Sequence, residues 1–370
     1  MGLYDSTGVA ITSEAAQFLG LTKGVGDQVF TQQPLTMWLT TSKCRVSTED
    51  GGGEGIAWNC FYGENPNVGV IQGFDTFDTE DYEYATLARL NWKEMVGPVP
   101  VSGIEIIKNR AGRTQNFRVQ ARKLRDTVAT MTKKFAQMAY SDGTASTGLN
   151  DVRQIDGLGA AVGDLSQLYV TDDKYAGINP NTYAWHIAYV SDSTTIITLD
   201  DVLKAKQSCS DYIFTQDWQA FTTAKQWRRL ASQLTAQERI MVGPMGQRAR
   251  DNGFDSFKYM GIEVTYDPTC PTAAGFVSGG AGCLFILNSE SVKLCVPPGS
   301  EGTVLNEGTA PALSADEDTG KPMVLYNGFE FRPWQNPVNQ RSAVATFFWT
   351  GNMQNRVRRS TACFRKLSES

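Results

Sequence analysis

The segment from Thr114 to Tyr140 constrains this chain most, because it reads as one long, basic, two-sided helix. Phe117, Ala121, Leu124, Val128, Met131, Phe135 and Met138 recur at alternating steps of four and three. That spacing lays a single apolar stripe along a helix. Arg118, Arg122 and Arg125 keep the same rhythm one position over and form a cationic stripe beside it. Neither Gly nor Pro interrupts the run, and Ser141-Asp142-Gly143 supplies a stop. At ~1.5 Å per residue the helix is roughly 40 Å long, well beyond the ~11–12-residue mean. It is a beam more than an element of a compact core.

The remaining sequence must supply what the beam packs against. A chain of 370 residues can bury a substantial core and divide into two or more lobes. Hydrophobic content of 41% and charged content of 20% describe an ordered globular protein, not a disordered or membrane-spanning one. No apolar run approaches the ~20 residues that cross a bilayer, and residues 1–20 carry neither a basic n-region nor an apolar h-region. The net charge of −5 is unevenly placed. Asp75, Asp78, Glu80, Asp81 and Glu83 make an acidic cluster, while the helix and the tail (Arg356, Arg358, Arg359, Arg365, Lys366) are basic. Such clusters are solvated surface, contacts between copies, or a basic wall facing nucleic acid. A mildly acidic whole argues against a dedicated DNA-binding protein.

The pattern along the chain is mixed. Residues 1–43 are polar and Gly/Thr/Gln-rich, an extended arm. Residues 82–92 alternate as a long strand that Gly97-Pro98-Val99-Pro100 ends, and Ile104–Ile107 is a short strand before the helix. Residues 44–101 therefore read as a long hairpin. Beyond the helix, residues 144–197 look irregular. Thr198 caps a helix whose first turn holds Asp200 and Asp201. Residues 223–234 form a second helix, and Tyr212–Phe214, Ile262–Tyr266 and Cys283–Leu287 are strands, giving an α/β lobe over about 198–325. Asn327-Gly328 marks a hairpin. Residues 342–350 form a strand apolar on both faces, best paired with the stripe of the long helix.

Candidate chemistry is sparse. A catalytic triad would have to use His186, the one histidine, which sits in the aromatic stretch Tyr183–Tyr189 and reads as a packed side chain. Gly157-Leu-Gly159-Ala-Ala-Val-Gly163 is one residue too long for a dinucleotide-binding turn and reads as a loop. Asp200-Asp201 and Asp172-Asp173 suit capping and loop solvation better than acid–base catalysis. Seven dispersed cysteines without a C-x-x-C spacing read as reduced, buried thiols. No metal site, cofactor or enzymatic activity is expected.

The order of parts is informative where single motifs are not. Ile104-Glu-Ile-Ile-Lys-Asn109 opens onto the long helix. Tyr140-Ser-Asp-Gly143, Ile155-Asp-Gly-Leu158 and Tyr175-Ala-Gly-Ile-Asn179 follow. Then come Thr198–Leu203, Gly253-Phe-Asp255 before Gly261–Asp267, and Trp349-Thr-Gly-Asn352. This series resembles the major capsid proteins of tailed double-stranded DNA bacteriophages, which share the HK97-type fold. The resemblance implies an α+β chain with an N-terminal arm (1–43), an E-loop (44–101), a P-domain (102–197 and 326–370) carrying the spine helix (114–140), and an α/β A-domain (198–325). It implies pentamers and hexamers closing an icosahedral shell around packaged double-stranded DNA. Assembly would occur in the bacterial host cytoplasm, with a separate scaffolding protein, a portal, decoration proteins and no membrane. An encapsulin-like compartment enclosing cargo enzymes is the alternative of the same fold. Asp75, Asp78, Glu80, Asp81, Glu83 and Trp92 are the candidate subunit contacts; Arg118, Arg122 and Arg125 would face DNA or a neighbour. Some members join subunits by Lys–Asn isopeptide bonds, for which Lys93 is the formal candidate.

Overall fold

The computed structural model of the chain describes residues 3–4, 10–11, 33–40, 44–47, 55–73, 76, 79–104, 119–141, 154–162, 175–179, 182–192, 196–213, 217–234, 256–271, 282–297, 329–336 and 341–367. In chain order its strands are β1 Leu3–Tyr4, β2 Ala10–Ile11, β3 Arg45–Ser47, β4 Ile56–Phe61, β5 Ala85–Leu90, β6 Lys93–Ser102, β7 Tyr189–Asp192, β8 Trp218–Thr222, β9 Ser256–Tyr259, β10 Ile262–Tyr266, β11 Gly282–Asn288, β12 Val292–Val296, β13 Phe329–Gln335, β14 Ser342–Asn355 and β15 Ala362–Leu367. Its helices are α1 Pro34–Leu39, α2 Val119–Ala139, α3 Leu158–Val162, α4 Leu199–Ser210 and α5 Ala224–Gln233. The chain divides into two compact units: Met1–Gln32, Glu94–Ala136 and Val296–Thr350 in the first, and Gln33–Lys93, Gln137–Cys295 and Gly351–Ser370 in the second.

In the first unit the long helix and the C-terminal strand meet as the sequence predicts. Of the predicted stripe, Leu124, Met131 and Phe135 of α2 are buried, Val128 and Met138 are only half-buried, and Ala136, outside the stripe, is buried as well. Phe135 meets Trp349 of β14 edge-on, with ring centroids 5.0 Å apart, a favoured aromatic geometry. Along β14, Ala343, Ala345, Phe347 and Trp349 are buried while Val344, Thr346 and Phe348 are only half-buried. The strand is therefore not sealed on both faces, as its composition suggests. The Arg332 guanidinium lies 4.4 Å over the Phe348 ring, a cation–π contact on this half-buried face. β6 corrects a second expectation. Gly97-Pro98-Val99-Pro100 does not end a strand but lies inside one, with Gly97, Val99 and Val101 buried and both prolines exposed. β6 pairs with β14, and an edge strand tolerates proline where the ladder needs no N–H. Ile104 is helical and exposed instead of opening a strand; residues 105–118, with Phe117 and Arg118, lie outside the described residues.

The second unit is built on a six-stranded mixed sheet in the order β7-β15-β11-β8-β10-β9. β8 and β11 are buried along their whole length, which is how a strand covered on both faces reads. Val202, Ala205 and Cys209 of α4 and Leu230 of α5 pack with Trp218, Ala220, Ile262, Val264, Leu284, Ile286 and Phe364 of the sheet. Helix α4 starts as expected. Thr198 Oγ1 accepts the Asp201 N–H, and Asp201 Oδ2 accepts the Thr198 N–H at 3.0 Å, a reciprocal capping box. Asp200 pairs with Lys204 one turn on at 2.6 Å. Tyr212, expected in a strand, lies in the turn that closes α4; the strand is β8. Residues 327–328 lie outside the described residues.

Residues 157–163 are not simply a loop, since Leu158–Val162 form the buried helix α3. Gly157 makes this possible. A Cβ there would sit 2.6 Å from the Ser141 carbonyl, 2.7 Å from the Ala139 carbonyl and closer still to that of Met138. Backbone oxygens at the end of α2 cannot retreat as a side chain would. Gly157→Ala should cost roughly 1–3 kcal/mol, read as a lower denaturation midpoint of the purified chain.

Candidate assembly surfaces

β4 and β5 pair antiparallel, from Ile56↔Leu90 to Phe61↔Ala85. Period-two alternation gives the hairpin two faces. Ile56, Cys60, Ala88 and Leu90 are buried, while Phe61 and Leu87 on the other face are 72% and 60% exposed. Tyr84 stacks on Phe61 at 6.1 Å and is itself exposed. The connection between the strands adds Val68, Val70 and Ile71, all exposed. Single exposed apolar residues are ordinary; a cluster on one hairpin is a candidate interaction surface. Sequence reasoning did not single out these six residues. The run Val68-Gly-Val-Ile71 between turn residues was the available signal.

The acidic candidates border this surface. Glu80, Asp81 and Glu83 are exposed. Asn67 Nδ2 donates to the Glu80 carbonyl at 2.6 Å, and Asp81 Oδ1 accepts the Tyr82 N–H at 2.9 Å. Glu83 accepts from the Tyr62 hydroxyl and pushes that phenol up; the Tyr62 ring stacks on Trp185 at 4.6 Å. Trp92 is half-buried. Asp75 and Asp78 lie outside the described residues, as does Arg118. Arg122 and Arg125 fall on α2, and their side chains are outside the described set.

The motifs that carried the sequence resemblance partly converge within the second unit. Asn352 Nδ2 donates to Asp156 Oδ2 at 2.6 Å and to the Asn91 carbonyl at 2.8 Å, while its Oδ1 accepts the Asp156 N–H at 3.0 Å. Lys93 is buried and near enough to draw the Asp156 carboxyl down, against the stronger upward push of burial. Tyr175 Oη accepts the Asn355 N–H at 2.9 Å, and a tight turn with Ala176 at φ 54° and Gly177 at φ 83° follows it.

His186 belongs to the same region and is a packing residue. It is 2% exposed, stacked on Tyr175 at 6.0 Å and edge-on to Trp185 at 5.2 Å. Burial, and then the charge of Arg358, lower its pKa to about 3, so it is neutral at pH 7. Below the ordinary value of 6.5 the unfolded chain takes up a proton that the folded chain refuses. His186 should therefore withdraw about 1.4 kcal/mol of stability per pH unit between pH 6.5 and 3. Denaturation across that range should show the slope, and His186→Asn should remove its share of it. Among the described residues no group of three His, Cys, Asp or Glu is placed to hold a metal ion, and no helix is long and apolar enough to cross a membrane.

No protein-family model matches the chain, and no curated protein matches it. Solved structures do. The capsid asymmetric unit of cyanophage A-1(L) matches with TM-score 0.60 and 15% identity, over 93% of this chain and 95% of that one. The capsid of an empty GTA particle matches with TM-score 0.54 and 8% identity, over 97% and 99%. The capsid of Myoviridae phage XM1 matches with TM-score 0.50 and 10% identity, over 96% and 99%. At these identities the likeness is one of fold, and it extends over nearly the whole of each chain. This chain therefore has the HK97-type fold of phage capsid proteins.

Proposed function

We propose that this chain is a major capsid protein, the repeating subunit of an icosahedral bacteriophage shell around packaged double-stranded DNA. The observation that carries the reading is end-to-end likeness to capsid chains, 93–97% of this one. The exposed Phe61, Leu87 and Val70 support it, because a subunit completed by neighbours leaves such a surface open when alone. In this reading α2 is the body of the spine helix, residues 1–43 the N-terminal arm and 44–101 the E-loop. Residues 102–197 and 326–370 are the P-domain. Residues 198–325 are the A-domain, whose sheet takes in β7 and β15 from the flanking segments. The subunit forms pentamers and hexamers in the host cytoplasm, with a scaffolding protein and a portal as partners. Arg118, Arg122 and Arg125 face DNA or a neighbour, and the contribution of the chain is binding, not catalysis.

The acidic cluster gives the reading a test. Glu80, Asp81 and Glu83 contact a basic surface of a neighbouring copy, joined by Asp75, Asp78 and Trp92. Reversing Asp78, Glu80 and Asp81 to lysine should abolish closed particles in electron micrographs while the denaturation midpoint of the subunit stays put, since Glu80 and Asp81 are exposed and exposed charges contribute little to folding. Normal shells from the triple variant would remove these residues from the interface.

A further inference from the structure

All seven cysteines are free thiols and buried, yet two of them face each other. Cys270 closes the turn after β10, its N–H donating to the Asp267 carbonyl at 3.1 Å. Cys283 lies on β11 in the middle of the sheet. Their Sγ atoms are 3.4 Å apart. Cys283 also reaches the Pro271 carbonyl at 3.2 Å. Both residues are at most 4% exposed, and both are held in place: Cys283 sits at the register shift between Gly282 and Leu284, its carbonyl accepting the Thr222 hydroxyl at 2.9 Å, and Cys270 is held by the Asp267 turn.

The geometry points to an oxidation site: Cys270 and Cys283 close to an intrachain disulfide when a peroxide reaches them. The thiolate of one cysteine attacks a peroxide oxygen, breaking the O–O bond to give a sulfenic acid and hydroxide. The second sulfur then displaces hydroxide from the first, so two thiols and one hydrogen peroxide become one disulfide and two waters. Burial slows the first step, because the thiolate is the nucleophile. It also keeps bulky thiols out, so that the neighbouring sulfur resolves the sulfenic acid before over-oxidation. The product ties the exit of β10 to β11, closing a short ring that restricts the unfolded chain.

The test uses the full-length, reduced chain and hydrogen peroxide. No Lys or Arg lies between Tyr259 and Lys293, so both cysteines fall in one tryptic peptide. Closure reads as the loss of two hydrogens from that peptide with both cysteines protected when the peroxide-treated chain is quenched, denatured and then alkylated, and as a melting temperature raised by roughly 5 °C that dithiothreitol returns. Cys270→Ala should abolish the protection of Cys283, and Cys283→Ser that of Cys270, so a folding defect in one variant leaves the other to report. Two alkylatable thiols in that peptide after peroxide treatment would overturn the proposal. So would closure seen only in denaturant, or oxidation of Cys270 and Cys283 to sulfinic acids.

Discussion

Asp267→Ala should destabilise the chain by roughly 3–5 kcal/mol. The carboxylate is 1% exposed and accepts four hydrogen bonds. Oδ2 takes the Leu35 N–H at 3.2 Å and the Tyr140 hydroxyl at 2.9 Å. Oδ1 takes the Thr269 N–H at 2.8 Å and its hydroxyl at 2.6 Å. The Leu35 bond has a specific task. Helix α1 begins with Pro34, and Gln33 before it gives no side-chain cap, so Asp267 satisfies a donor that a helix start otherwise leaves orphaned. Tyr140, at the end of α2, has its hydroxyl pushed well up by burial and by Asp267, so it stays a donor at any ordinary pH. Alanine would strand these donors away from water. Tyr140→Phe removes one of them and should cost about 1 kcal/mol. Asp267→Ala should cost less in that background than alone, because the two share a bond. Urea midpoints of the four proteins complete the cycle; strict additivity would show that the contact carries no energy.

Arg358→Met should cost roughly 2–4 kcal/mol. The guanidinium is 2% exposed and works as a three-way clamp. Nε donates to the Ala161 carbonyl at 3.0 Å, Nη1 to the His186 carbonyl at 2.8 Å and Nη2 toward the Ala160 carbonyl at 3.4 Å. Ala160 and Ala161 are in the last turn of α3, whose carbonyls have no partner within the helix. The guanidinium carbon also lies 5.1 Å from the Tyr175 ring centroid. Methionine fills the volume but donates nothing, and lysine cannot reach in three fixed directions from one nitrogen. A second readout separates this from loss of packing. Arg358 helps hold the His186 pKa down, so Arg358→Met should raise it. With one histidine in the chain, a single imidazole resonance reports the change without assignment. An unmoved His186 titration would contradict the clamp.

These two residues show what local sequence carries and what it does not. The stripe of α2, the Thr198 cap and strands β10 and β11 were legible because period and capping residues lie within a few positions. Asp267 was legible as the end of a strand, but its partners Leu35 and Tyr140 lie 232 and 127 positions away. Arg358 read as part of a basic tail, yet its carbonyl partners lie 172 to 198 positions away. β8 was missed because Gln219 and Thr222 interrupt its apolar pattern, although both are buried. Gly157 and Gly159 read as loop residues, whereas close approach to the end of α2 explains the first. The assembly surface was half legible: charge clusters show in sequence, but the exposure of Phe61 and Leu87 depends on which face of the hairpin is turned outward.

Electron microscopy of the expressed full-length chain, alone and with a scaffolding protein, tests the shell reading most directly. Closed icosahedral particles built from pentamers and hexamers are the predicted result. A stable monomer or dimer under both conditions would contradict it.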